Sequence, residues 1–372
     1  MFIIVHPGKD NVAVSRSDLD AGTRLSAGGK ELVLKRAIRK GERFALVEIP
    51  AGEPVIQYGV PFGRATGIAA GEGIHGGNVV ELPVDLEAPV ILNPPVITRR
   101  EPWRSRTFAG YARPDGGVGV RNHFIIVPTS MCASQVANQV AARANARFSP
   151  ARRFPNVDSI VSLANTEGCG CASNLQIERF LRVLRHHLIH PNVGGALIID
   201  LGCEQTDYRA LQASLLEHGV RPGIPLDWLT IQKEGGVAGT VEKALHLLER
   251  RLPEVNANIR TPQPAGRLLL GTECGASDSF SGLTANPVIG NAADKLIAAG
   301  GGAILSEVPE MLGAEQVLMT RMRSGAVVED FRRMISWYQE MARTLGVVMS
   351  DNLVPENKAG GLINACIKSL GA

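Results

Sequence analysis

Aromatic residues are scarce in this chain of 372 residues: they make up 5% of it, with 3 tryptophans and 4 tyrosines against 41 glycines. That balance suits tight loops around small ligands. Neither sign of charge dominates, and a formal net charge of +3 gives no case for a nucleic-acid or membrane partner. No apolar run is long enough to span a bilayer. The opening MFIIVHPGKD has no basic stretch ahead of a long apolar one, so no signal peptide is expected. A cytoplasmic setting follows as the expectation, with the six cysteines reduced. No G-x-G-x-x-G follows the first strand of the α/β region, and no G-x-x-x-x-G-K-[ST] occurs, which argues against dinucleotide and P-loop sites. The C-x-C at Cys169 and Cys171 is not the C-x-x-C of structural zinc, and a second pair is missing.

What is present organises around Gly266 to Pro309. Leu268-Leu269-Leu270 reads as a buried strand, followed by a loop holding Glu273, Cys274, Ser277, Asp278 and Ser281. Asn286-Pro287 reads as a helix start, Gly300-Gly301-Gly302 as its stop, and Ala303-Ile304-Leu305 as a second strand. In one sheet this unit implies a right-handed crossover. The fold class expected is α/β with a small all-β N-terminal domain. Residues 1–97 alternate short apolar segments with Gly/Pro turns, as in a small barrel or clip. Residues 98–121 read as a linker, 122–264 as a doubly wound α/β domain, and 265–372 as a second α/β domain.

One rule ties the polar residues together. Cys132, Cys169, Cys171, Cys203 and Cys274 all fall just after predicted strands, as do Glu167, Glu204, Glu234, Glu273 and Glu307. Loops at the carboxyl ends of parallel strands are where open α/β sheets bind ligands. Small residues also suit tight loops, which is the plainer reading of the same pattern. Glu167, Glu204, Cys169, Cys203, Cys274 and Asp278 are therefore expected to converge on one cleft between the two α/β regions. Thiolates on several loops could hold a metal, or one could be a reactive thiol at a helix N-terminus. The glycine-rich loops at Gly168 and Gly275 could bind a carboxylate through backbone N–H groups. His186, His187 and His190 have ligand-like spacing, but their place in the last turn of a helix explains them without a metal. The arginines at 143, 147, 152 and 153 read as a solvated helix end.

Several stretches resemble motifs of the altronate and galactarate dehydratases. They are GYARPDGGVGVRN (Gly110 to Asn122), NTEGCG (Asn165 to Gly170), LGCEQ (Leu201 to Gln205), IQKEGG (Ile231 to Gly236), ECGASDSFSGLTANP (Glu273 to Pro287), SEVPEMLGAE (Ser306 to Glu315) and NKAGGL (Asn357 to Leu362). The resemblance implies an N-terminal β-clip domain of the SAF type. It also implies dehydration of a sugar acid to a 2-keto-3-deoxy acid with divalent iron or manganese. The chain departs from the family at Gly41-Glu42-Arg43, commonly Gly-His-Lys, at His75-Gly76-Gly77-Asn78, commonly His-x-His-Asn, and at Asn165, often histidine. Family members also continue beyond the motif ending Ser369-Leu370-Gly371-Ala372.

The chemistry needs a base beside the substrate carboxylate, an acid for the leaving hydroxyl, and donors or a metal to hold the enediolate. Loop position, residue type and motif match nominate His75, Glu167, Glu204 and Lys358 as acid–base groups. Arg121, Asn122, Gly168, Gly275, Ser277, Asp278 and Asn286 are nominated for substrate binding. His75, Glu167, Cys169, Cys203 and Cys274 are the candidate metal ligands. The partner expected is a small carboxylated sugar acid, with homo-oligomerisation left open. Two other readings stand beside this one: a related lyase that expels sulfite from a sulfonated hydroxy acid, and a non-catalytic small-acid binding or assembly protein.

Overall fold

A strand flanked by helices on both sides of its sheet should be apolar throughout, and Val193–Asp200 is buried along its whole length in the computed structural model. The structure describes residues 2–371 apart from 97, 99–100, 169–173, 207 and 219–222. The chain divides into two compact units, one of residues 101–268 and the other of residues 1–100 with 269–372.

The 101–268 unit is built on a four-stranded parallel sheet. Its spatial order is Ile160–Ser162, His123–Pro128, Val193–Asp200, Leu226–Thr230. Alternate residues of the His123–Pro128 strand face opposite ways. Phe124 and Ile126 pack with helices Met131–Phe148 and Gly236–Asn256. Ile125 and Val127 pack with helices Asn174–Leu188 and Tyr208–His218. This is the doubly wound arrangement expected for residues 122–264, and the strand order reverses between the His123–Pro128 and Val193–Asp200 strands.

The stretch expected as a linker is structured in part. Thr107–Ala112 pairs with Val118–Gly119 and with Thr261–Pro264 in a small antiparallel sheet. Thr261–Pro264 is its edge, where the missing N–H groups of Pro262 and Pro264 break no ladder. Helix Gly236–Asn256 runs on through Pro253, because Leu252 and Val255 are drawn into the core of the sheet.

In the other unit, residues 2–80 form only strands and turns, as the Gly/Pro-split pattern predicts. A four-stranded antiparallel sheet includes Val12–Ser15 and Arg43–Ala45, and a three-stranded one includes Pro54–Gln57 and Val60–Ala65. Their core admits Leu353, Leu362, Cys366 and Ile367 from the C-terminal segment. The proline-rich stretch after the β domain is extended but docked. Leu86 and Val90 pack on the cluster of Met319, Val328, Phe331 and Ile335. The backbone N–H of Asn93 donates to the Thr320 carbonyl at 2.6 Å. Leu269–Thr272 and Gly302–Leu305 pair in parallel, joined through helix Ala285–Ala299, which is the strand–helix–strand unit read from the sequence.

Candidate active site

The reversal of strand order in the 101–268 unit brings two loops together at the carboxyl edge of the sheet, and Glu204 joins them. It is 5% exposed and receives five hydrogen bonds. Its Oε1 accepts from Thr129 Oγ1 at 2.8 Å, Ser130 Oγ at 3.1 Å and the Leu201 N–H at 2.8 Å. Its Oε2 accepts from the Gly202 N–H at 2.7 Å and the Cys203 N–H at 3.0 Å. Burial alone would raise the pKa of Glu204. The N–H groups of Leu201 and Gly202, with the Thr129 hydroxyl, outweigh it and hold the carboxyl below its usual range. An ionised carboxylate only accepts hydrogen bonds, and this one is fully used. The backbone at Gly202, φ 112°, aims those N–H groups inward.

The neighbouring loop is tied to the same edge. Asn165 Nδ2 donates to the Pro128 carbonyl at 2.9 Å, and Ser134 Oγ donates to the Asn165 carbonyl at 3.0 Å. The Met131 N–H donates to the Glu167 carbonyl, placing that loop against the start of helix Met131–Phe148. Asn165, where the family often has histidine, thus holds its loop through an amide. Glu167 and Cys203 are exposed along this edge, and Gly168 faces open space. Cys169 lies outside the described residues.

Arg121 and Asn122 sit elsewhere. They precede the His123–Pro128 strand, so six residues of strand, about 20 Å at ~3.3 Å each, separate them from its carboxyl end. The Asn122 side chain is buried and fully engaged. It donates to the Asn156 and Val255 carbonyls at 2.7 and 3.0 Å and accepts from Arg113 Nη2 at 3.0 Å. Arg121 pairs with Asp158 at 3.3 Å. Their motif is a brace at the amino edge of the sheet, away from the loops at its carboxyl edge.

In the other unit, the Cys274–Asn286 loop borders a cavity of about 280 Å³. Glu273, Cys274, Gly275, Ser277, Asp278 and Asn286 all line it, so this part of the expected constellation is gathered in one place. Asp278 Oδ1 accepts from the N–H groups of Phe280 and Ser281 at 2.7 and 2.9 Å, capping the turn. The Cys274 N–H donates to the carboxylate of Glu307, whose backbone is left-handed at φ 62°. Asn286 Nδ2 donates to the Gly371 carbonyl at 2.6 Å. Lys358 lines a separate cavity of about 360 Å³ with Glu81 and Ser350 instead. His75 is exposed, and its Nδ1 accepts from the Gly77 N–H at 3.0 Å.

Residue-type reasoning passed over three groups here. Arg43 is 1% exposed, donating through Nε to Gln57 at 2.5 Å and through Nη1 to Ser279 Oγ at 2.9 Å and the Gly361 carbonyl at 2.6 Å. Its Nη2 has no partner among the described residues. Burial pushes the Arg43 pKa down, and the adjacent Tyr58 opposes that. Tyr58, at φ 59°, lines the cavity beside Gly282 and Gly371, and burial raises its pKa. Lys368, paired with Glu310 at 2.7 Å, lines it too. The signal for Arg43 was present in the sequence as the departure at Gly41-Glu42-Arg43.

Among the described residues, no three histidine, cysteine, aspartate or glutamate side chains gather as a metal site. Nor is any described helix long and apolar enough to cross a membrane.

Comparison with known proteins accounts for this layout. Residues 1–82 match the family model described as the altronate/galactarate dehydratase SAF domain. Residues 110–256 match that of the D-galactarate dehydratase/altronate hydrolase second domain, and 265–372 that of the D-galactarate/altronate dehydratase C-terminal domain. The chain is 32% identical to altronate dehydratase of Bacillus subtilis over 371 residues, covering 100% of this chain and 72% of that protein. It is 35% identical to galactarate dehydratase (L-threo-forming) of Escherichia coli over 386 residues, covering 71% of that protein. It is 27% identical over 239 residues to the (2R)-sulfolactate sulfo-lyase subunit beta of Chromohalobacter salexigens, across 64% of this chain and 56% of that one.

Proposed function

The chain belongs to the altronate and galactarate dehydratase family, and from that premise we propose that it is a hydro-lyase converting a sugar acid to a 2-keto-3-deoxy acid. In this reaction a base removes the proton on carbon 2, next to the carboxylate. The hydroxyl on carbon 3 leaves with a proton as water, and the enol left behind becomes the ketone.

The observation that supports a site at the carboxyl edge of the four-stranded sheet is the Glu204 clamp. Five donors hold one carboxylate across the strand-order reversal, so the loops on either side have fixed backbones. Fixed N–H groups are what stabilises a developing enediolate without reorganisation. Glu204 is in this reading a positioning residue, and its lowered pKa fits that role better than proton transfer. Glu167, exposed on the neighbouring loop, is the proposed base. His75 and Lys358, both exposed, are kept as further proposed proton-transfer groups. Ser277, Asp278 and Asn286 are proposed to select the substrate. Divalent iron or manganese remains part of the proposal. The described residues do not assemble a ligand set, so no step is routed through the ion.

The test is incubation of the purified chain with hexonates and hexarates, after chelation and after readdition of ferrous or manganous ion. The 2-keto-3-deoxy acid is then assayed. Glu167→Gln should lower kcat at least 100-fold, within the ~10²–10⁴ range of acid–base catalysis, with metal content read separately by elemental analysis. A folded chain that turns over none of these acids would refute the reading. A sulfonated hydroxy acid belongs in the panel because a sulfo-lyase subunit is among the relatives, and sulfite release would favour that second chemistry.

A further inference from the structure

Arg43 is a buried cation whose counter-charge is missing among the described residues. The titrating neighbour that acts on it is Tyr58, which burial keeps in its neutral form. Buried charges in proteins are paired, because taking an ion out of water is costly. The Gln57 side chain, also 1% exposed, meets the guanidinium along one edge, where Arg43 Nε donates to its Oε1 at 2.5 Å. Nε and Nη2 share that edge, the fork that the two oxygens of a carboxylate fill. Glutamine brings one oxygen and one amide nitrogen to it. Arg43 Nη2 and Gln57 Nε2 are therefore buried donors without an acceptor among the described residues. Exchanging the amide oxygen and nitrogen would strand Arg43 Nε instead, so neither orientation satisfies the edge. The Tyr58 hydroxyl stands beside both side chains without filling either nitrogen. The wall on the far side is closely packed. A side-chain carbon at Gly361 would lie 2.5 Å from Ser279 Oγ and 2.6 Å from the Gly41 carbonyl.

We propose that Arg43 and Gln57 hold a resident monatomic anion of the chloride class against Nη2 and Nε2. The anion accepts from both donors and balances the guanidinium. A water molecule would accept the same two hydrogens and leave the charge unbalanced. A sugar-acid carboxylate shares the chemistry, but side chains that are 1% exposed leave no path for its carbon chain. The inference does not depend on the reaction proposed above, because its readouts are stability and anomalous scattering.

The test melts the 372-residue chain in sodium chloride at constant ionic strength, made up with sodium methanesulfonate. A ligand bound by the folded state alone stabilises it with the logarithm of its concentration. Between about 1 mM and about 200 mM chloride the melting temperature should rise by at least about 2 °C. Bromide should act alike, and crystals grown in bromide should show an anomalous peak within hydrogen-bond reach of Arg43 Nη2 and Gln57 Nε2. Gln57→Glu gives the edge its second oxygen and its own negative charge. That variant should match or exceed, without chloride, the melting temperature of the wild type in high chloride, and should lose the chloride response. A flat wild-type titration would overturn the proposal, as would a water at the place of the bromide peak. So would a Gln57→Glu variant as responsive to chloride as the wild type. A shift with galactarate and none with chloride would reject the monatomic anion in favour of a carboxylate. If Gln57→Glu does not fold, the wild-type melts and the bromide map decide alone.

Discussion

Two parallel sheets in this protein are written in the same apolar alphabet and end differently. All eight residues of Val193–Asp200 are buried, whereas three of the four in Gly302–Leu305 are exposed. The loops beyond the two sheets are pinned by opposite charges. In the 101–268 unit a buried carboxylate, Glu204, accepts from five donors. In the other a buried guanidinium, Arg43, spans from the β domain to Ser279 and Gly361 and keeps one nitrogen unpartnered. A covered sheet with a saturated carboxylate has its loop backbones fixed. The exposed sheet is held at its loop by the buried cation, through Ser279 and Gly361.

The widest separation between the two should come from placing lysine at equivalent strand positions. Ile198→Lys puts a charge where nothing is exposed and should cost at least about 4 kcal/mol or prevent folding altogether. Ile304→Lys, on a half-exposed side chain, should change stability by no more than about 0.5 kcal/mol. Urea unfolding of both variants gives the contrast, and equal costs would erase it.

Arg43 comes next. Arg43→Ala deletes three hydrogen bonds and strands Gln57 and Ser279 in the core, at an expected cost of about 3 kcal/mol. Arg43→Lys should recover only part of that, because a single ammonium on a flexible stem cannot reproduce the planar fork. If alanine and lysine behave alike, the guanidinium geometry is not what holds the loop.

For Glu204 the expected effect is slightly smaller and carries a pH signature. Glu204→Gln presents an amide N–H₂ to donors it cannot accept from, costing about 2 kcal/mol at neutral pH. Because the folded pKa lies below the unfolded one, the wild-type advantage is present above about pH 4.3 and is lost as pH falls through the folded value. Paired denaturation curves from pH 7 to 3 should converge on the acid side.

How much of this was legible in advance follows the range of the interactions. The doubly wound sheet and the strand–helix–strand unit at Leu269–Leu305 came from local period and Gly/Pro punctuation, and both stand. The stretch 98–121 was misjudged because its partner strand, Thr261–Pro264, is far away in the chain and rich in proline. Arg121 and Asn122 matched a family motif, but a motif does not say which end of a strand it decorates. Glu204 and the Cys274–Asn286 loop were nominated by their position after strands. That Glu204 would be saturated depends on Thr129 and Ser130, more than seventy residues away. Tyr58 and Lys368 carried no local signal at all.

The smallest effect concerns a second buried carboxyl, of opposite sign to Glu204. Glu315 is 4% exposed; its Oε2 accepts from the Gly313 N–H at 2.7 Å, and its Oε1 has no partner among the described residues. Burial dominates, with too few donors to offset it, and raises its pKa. The neighbouring Cys366 thiol, pushed up to about 12 by burial and by Glu315 and Glu81, stays protonated and neutral. A carboxyl whose folded pKa exceeds its unfolded value adds stability that is full below about pH 4.3 and lost as pH rises through the folded value. The charge Glu315 takes up as pH rises is therefore one the folded protein would be better without. Glu315→Gln keeps the acceptor for Gly313 and removes that charge, so it should stabilise the protein by about 1 kcal/mol at pH 7. The gain should vanish near pH 4, whereas the loss from Glu204→Gln shrinks over the same descent. Thermal melts of both variants across that range read the two carboxyls against each other. A Glu315→Gln variant that is less stable than wild type at pH 7 would mean that the buried charge has a partner in solution after all.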